Sequence, residues 1–169
     1  MNAGIDITLT IPMPPRGKQS HRSFVNKKTG RAVSVKSEET RRYEATIMAL
    51  AQSKLSDIPQ LEGCIRMDML AVLPRPEYMK FRYAKTGAYK YPTGLVWAPC
   101  KPDRDNIQKS IKDALKPIWT DDAIVVSGEP LKVYAEANGQ PRVVVRLRSE
   151  DRDPQQVWSL LVSEESIPF

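Results

Sequence analysis

The sequence predicts one α/β (α+β) domain, and three observations carry that prediction. Its 169 residues suit a single hydrophobic core and leave little room for a second. Apolar and polar residues alternate with the period of half-buried strands near the start, in the middle and towards the end of the chain. Between these runs, two segments repeat apolar residues at helical spacing. Hydrophobic residues make up 41% and charged residues 27%, which is ordinary globular usage and argues against general disorder.

Residues 5–12, "IDITLTIP", set Ile5, Ile7, Leu9 and Ile11 against Asp6, Thr8 and Thr10, a strand that the prolines at 12, 14 and 15 end. Residues 16–31, rich in Lys and Arg, read as an extended basic loop with a turn at "NKKTG". Residues 37–54 read as a core-packing helix: Ser37 is the N-cap, Glu38 and Glu39 lie in the first turn, and Tyr43, Ile47, Leu50 and Ala51 form its apolar stripe. Residues 61–73 alternate as a second strand. The stretch from Pro74 to Pro99 interleaves Tyr78, Phe81, Tyr83, Tyr89 and Tyr91 with Arg75, Lys80, Arg82, Lys85 and Lys90. Such a pattern supplies base stacking and phosphate contacts, and equally describes basic stems covering a loosely packed surface.

Residues 103–115 carry Ile107, Ile111, Ala114 and Leu115 at i, i+4, i+7 and i+8, an amphipathic helix that Pro117 stops. "AIVVS" after it reads as a short buried strand. Residues 131–148 read as a hairpin about Asn138-Gly139, with Val133 and Ala135 opposite Val143, Val145 and Leu147. Residues 1–149 are expected to form the domain, with a 74–99 insertion. Residues 150–169 are expected to form an acidic tail with one helical turn around "QQVWSLLV".

Composition narrows the function. Cys64 and Cys100 are far apart in the chain and form no C-x-x-C pair, so they read as reduced, partly buried thiols. His21 is the only histidine, which argues against a His-rich metal site or a Ser-His-Asp triad within the chain. With no run of about 18 apolar residues and no secretory pattern at the start, a soluble, unexported protein with no membrane partner is expected. The net charge is +6, and without the five acids and one base of the tail, residues 1–149 hold 25 bases against 15 acids. A basic body suits a polyphosphate partner, because binding releases condensed counterions.

The acids that remain are gathered oddly. "KPDRDNIQKSIKDALKPIWTDDAIVV", residues 101–126, has Asp103 and Asp105 at the mouth of its helix and Asp121-Asp122 before the next strand. One carboxylate is explained as an N-cap stabilised by the helix dipole, worth about 0.3–1 kcal/mol, but a second is not. Lys109 lies four residues from both Asp105 and Asp113, which suits an ion-pair ladder or a lysine working beside carboxylates. If the following strand returns beside the helix, Asp122 approaches Asp103 and Asp105. Three converging carboxylates stay ionised only when a cation compensates them, and Mg²⁺, a hard ion that takes carboxylates, waters and phosphate, fits best.

These features resemble the RusA family of Holliday junction resolvases, marked by D-x-D-N opening a helix, a lysine four residues on, and D-D before a strand. Here they stand as "KPDRDNIQK", "DAL" and "WTDDAIV", and the N-terminal "LTIPMPPRGKQSHR" is similar to the family's strand, proline pair and basic loop. The similarity runs over most of residues 5–148. It implies a mixed sheet packed against helices, a homodimer, and Mg²⁺- or Mn²⁺-dependent paired nicking of four-way DNA junctions. By the same resemblance Asp103, Asp105 and Asp122 are the metal-binding carboxylates and Lys109 the basic residue beside them, in a cytoplasmic, nucleoid-associated protein of bacterial or phage origin. Candidate phosphate contacts are Arg16, Lys18, His21, Arg22, Lys27, Lys28 and Lys101. The 74–99 segment and the acidic tail depart from shorter members, so substrate preference stays open. Two rivals remain: a branched-DNA-binding protein without catalysis, and a metal-dependent phosphohydrolase acting on other nucleic acids or nucleotides.

Overall fold

The computed structural model describes residues 4–18, 22–25, 30, 32–55, 60–119 and 121–163. A six-stranded mixed sheet carries two helices on one face. Its middle is β4 (Ile65–Leu73), flanked by β8 (Arg142–Ser149), antiparallel, and by β7 (Pro130–Tyr134), parallel. β1 (Asp6–Ile11) lies antiparallel outside β8, and β5 (Val96–Trp97) antiparallel outside β7. The short β6 (Val125–Ser127) pairs parallel with the start of β4. Between β6 and β7 the edge is interrupted at Gly128, whose φ is +133° and where an added Cβ would stand 1.9 Å from the Met67 carbonyl oxygen. Only glycine fits that approach.

Alternation on β4 decides which side is covered. Ile65, Met67, Met69 and Ala71 are buried beneath α1 (Glu38–Leu55) and α2 (Arg104–Leu115), together with Leu9 and Ile11 of β1 and Val143, Val145 and Leu147 of β8. The helix α1 contributes Tyr43, Ile47, Ala51 and Leu55, one residue per turn, and the Ser37 Oγ accepts the Thr40 amide as the N-cap expectation requires. From α2 come Ile107, Ile111, Ala114 and Leu115. Full burial of one such isoleucine or leucine stabilises by about 1.5–3 kcal/mol, against about 0–1 kcal/mol for an exposed ion pair. The apolar stripe therefore sets how α2 lies, and its charged edge is left to the solvent.

The opposite side of the sheet is mixed. Leu70, Val72, Val133 and Ala135 make a small apolar cluster, and beside it Asp68 accepts from Arg66 at 2.9 Å, Arg148 at 2.5 Å and the Glu129 amide at 3.0 Å. Asp6 holds Arg146 at 2.6 Å across β1 and β8.

Five expectations are corrected. The run 131–148 is not a hairpin: its two arms are β7 and β8, and β4 lies between them. The turn itself is real, with the Gly139 amide on the Glu136 carbonyl at 2.9 Å, but it spans an inserted third strand. The basic stretch after Pro15 is not all loop, since β2 (Arg22–Val25) and β3 (Ala32–Val35) pair antiparallel; most of the "NKKTG" turn lies outside the described residues. The "AIVVS" strand is only half-covered, with Val126 exposed, because β6 sits at the margin of the sheet. Cys64 is exposed and Cys100 half-buried, both free. In the tail, α3 (Pro154–Ser163) runs ten residues instead of one turn.

Burial pushes the Asp68 carboxyl up, but the hydrogen bonds from Arg66, Arg148 and the Glu129 amide outweigh it and hold it at about 2. A carboxyl lower in the folded than in the unfolded chain contributes stability that is complete above about pH 4 and lost as the pH falls towards the folded value. Urea unfolding between pH 5 and 2 should accordingly show a steeper acid loss for the native protein than for Asp68→Asn; parallel curves would remove Asp68 from the acid response.

A charged edge on helix α2

The turn leading into α2 is fastened from two sides. Lys132 of β7 donates its ammonium to the carbonyls of Cys100 and, at 3.0 Å, Pro102, tying the turn to the sheet. From the other side the loop after β1 lies against the helix start: the Lys18 amide donates to the Asn106 carbonyl at 2.9 Å, and a Cβ at Gly17 would meet Pro102 Cβ at 2.8 Å. The Lys101–Pro102 peptide is cis.

Asp103 occupies the N-cap position of α2, yet its side chain makes no capping hydrogen bond; its carbonyl alone accepts the Ile107 amide at 3.1 Å. Its exposed carboxylate is thus not consumed by the structural role that the sequence offered. Asp105, in the first turn, meets the Lys109 ammonium at 3.2 Å, and that hydrogen bond, with the Asn106 amide, holds its carboxyl below the ordinary range. Asp121 is turn chemistry: its carboxylate accepts the Ala123 amide at 2.9 Å. Asp122 turns back towards α2 and lies 3.8 Å from the Lys112 ammonium. Lys112 stands seven residues from Asp105, about 10.5 Å along the axis and on the same side of the helix.

The expected Lys109–Asp113 rung is absent. Asp113, with its side chain only 16% exposed, faces the loop after β1 and binds Lys18 at 2.7 Å, with Lys116 at 3.7 Å. Burial pushes the Asp113 carboxyl up and Lys18 more than offsets it, so it is held low; Lys18 is raised in turn, chiefly by Asp113 and also by Asp122 and Glu44. A lysine placed N-terminal to its acid is the weaker order for an i, i+4 pair, and Lys109 points to solvent while Asp113 does not.

The edge of α2 therefore reads Asp103, Asp105, Lys109, Lys112, with Asp122 brought to its far end. Oxygen-only donors suit a hard divalent ion. Among the described residues, however, no three acidic, histidine or cysteine side chains gather closely enough to hold one. Of the candidate phosphate contacts, Arg16 binds Glu39 at 2.8 Å and Lys18 binds Asp113, so both fasten the loop to helices; Lys101 is exposed, and Arg22 opens β2. His21, Lys27 and Lys28 lie outside the described residues. Sequence reasoning missed Lys112, which its i+7 spacing from Asp105 could have revealed, and the Lys18–Asp113 tie, which bridges 95 residues without any local signal.

Among the described residues, no helix is long and apolar enough to cross a membrane. A family model described as endodeoxyribonuclease RusA matches residues 12–148. A protein of Bacillus subtilis (strain 168), described as uncharacterized protein YqaN, is 33% identical over 108 residues, which cover 63% of this chain and 72% of that protein.

Gly17→Ala should push the loop off the start of α2, since Pro102 Cβ cannot swing away. A loss of about 1–3 kcal/mol is expected, with faster hydrogen exchange at the Lys18 amide; unchanged exchange there would show that the close approach does not matter.

Proposed function

The chain belongs to the RusA endodeoxyribonuclease family, and from that premise we propose that it resolves four-way DNA junctions by paired, metal-dependent nicking. Family membership implies the endodeoxyribonuclease activity on Holliday junctions. The metal dependence and the symmetric paired cuts are our reading.

The observation that carries it is the charged edge of α2, where Asp103 is left uncapped, Asp105 is held ionised, and Lys109 and Lys112 follow on the same side. A scissile phosphate laid along this edge meets two ammonium groups that offset the charge building on its oxygens in the transition state. Asp103, Asp105 and Asp122 are the carboxylates that would hold Mg²⁺ or Mn²⁺. For Asp122 to join the others it must leave Lys112, and a 3.8 Å pair with a side chain 43% exposed is cheap to break. A bound divalent ion supplies polarisation of the phosphate and acidifies water. The exposed Lys101, two residues before Asp103, is suited to a neighbouring phosphate, with Arg22, His21, Lys27 and Lys28 as further contacts. A two-fold dimer would offer two equivalent sites to opposed strands of a junction.

The engagement of Asp105 and Asp122 by lysines favours one rival, a branched-DNA-binding protein without catalysis. Two experiments decide. Nicking of four-way, duplex, single-stranded and nucleotide substrates under equal conditions, with Mg²⁺, Mn²⁺ or chelator, should show metal-dependent cutting of junctions. Asp105→Asn should lower it at least about 100-fold with junction binding retained; wild-type protein that binds junctions but cuts nothing establishes the rival. Separately, Lys101→Ala should reduce the slope of log K against log salt by about one unit, and an unchanged slope removes Lys101 from the DNA surface.

A further inference from the structure

The segment between β4 and β5 is built to keep aromatic rings in solvent. At its root Arg75 is 4% exposed, and its guanidinium donates to the carbonyls of Met79 at 3.3 Å, Gly94 at 3.1 Å, Ala135 at 2.9 Å and Pro92. A buried guanidinium whose donors go to main chain from both ends of the segment and from the end of β7 closes the arm on the sheet. The Ala137 amide adds a bond to the Thr93 carbonyl at 2.8 Å.

Further out, Arg82 and Tyr89 form an antiparallel bridge: the Tyr83 amide meets the Ala88 carbonyl at 2.8 Å and the Lys90 amide the Phe81 carbonyl at 2.9 Å. Gly87, at φ +68°, turns the chain between them. One side of the bridge is occupied. The Arg82 guanidinium lies 4.0 Å from the centre of the Tyr89 ring and bonds its hydroxyl, which donates to Asn138 Oδ1 at 2.9 Å. Side chains alternate along extended chain, so Phe81 and Tyr83 face the other side, 62% and 55% exposed. Two residues of strand put them about 6.6 Å apart, close to twice the roughly 3.4 Å repeat of stacked bases.

Residues 76–97 carry four bases, Lys80, Arg82, Lys85 and Lys90, against one acid, Glu77. The arm also runs straight into the charged edge, because Trp97 is six residues from Asp103, a span of no more than about 20 Å.

We propose that Phe81 and Tyr83 form a stacking clamp for an unstacked nucleobase of branched DNA, with Lys85 and Lys90 against the flanking phosphates. The proposal rests on the reading of α2 as the edge that receives DNA. Stacking is tolerant of base identity and needs only an exposed π-face, which the opened branch point of a junction provides.

The test uses the full chain in chelator, with a single-stranded oligonucleotide and a four-way junction carrying 2-aminopurine at the branch point. The Phe81→Leu/Tyr83→Leu double variant keeps apolar volume without π-faces and should bind the oligonucleotide about 5- to 100-fold more weakly and lose the wild-type change in 2-aminopurine emission. A Phe81→Tyr/Tyr83→Phe exchange should retain both. Equal affinity and emission for the leucine variant overturns the clamp. So does loss of self-association in sedimentation with DNA affinity unchanged, which gives the rings to a second copy of the chain. Nicking is scored apart: ring-dependent binding by a protein that cuts nothing in Mg²⁺ or Mn²⁺ sustains the clamp and removes the nuclease reading. Metal-dependent nicking with ring-independent binding does the reverse.

Discussion

Ile65, Met67, Met69 and Ala71, on one side of β4, form the floor on which both α1 and α2 rest. Because β4 is hydrogen-bonded on both flanks, by β8 and by β6 and β7, its backbone is satisfied and its side chains can be fully buried. That floor takes the apolar stripe of α2, and the orientation of every charge on the helix follows. Asp105 and Lys109 face outward, with Lys112 half-buried at the margin, since Ile107, Ile111 and Leu115 must face in. The charged edge is thus a by-product of hydrophobic packing several times stronger than any of its ion pairs.

Much of this is legible in local sequence pattern. The stripe of α2, the Ser37 cap and the alternation of β1 and β4 depend on neighbours within a few residues, and each was found where the spacing put it. The failures were non-local. Asn138-Gly139 announces a turn but carries no information about whether the strands beside it pair directly, and the strand that separates them comes from some 60 residues upstream. β2 and β3 were hidden by the basic residues around them, because a stretch rich in Lys and Arg argues for loop. Asp113 went to Lys18 instead of to its helical neighbour for a like reason.

The aspartates illustrate the same limit at the site. Their residue types and order were enough to suggest the family that the match over residues 12–148 bears out. What each carboxylate touches was not readable: Asp103 leaves the cap unmade, Asp121 is consumed by its turn, and Asp122 meets a lysine two helical turns from Asp105. Sequence names the atoms available, while the packing of the following turn decides their distances.

The grip of Lys132 on the carbonyls of Cys100 and Pro102 has a consequence for how such enzymes diversify. It pins the aspartate turn to β7 downstream of the point where the aromatic arm rejoins the sheet, while Arg75 pins the arm's own base. Between these two fasteners the chain can be lengthened, trimmed or exchanged without dragging on the carboxylates. The arm is thereby mechanically uncoupled from the aspartate turn, and a foreign arm grafted between positions 80 and 91 would leave both fasteners in place.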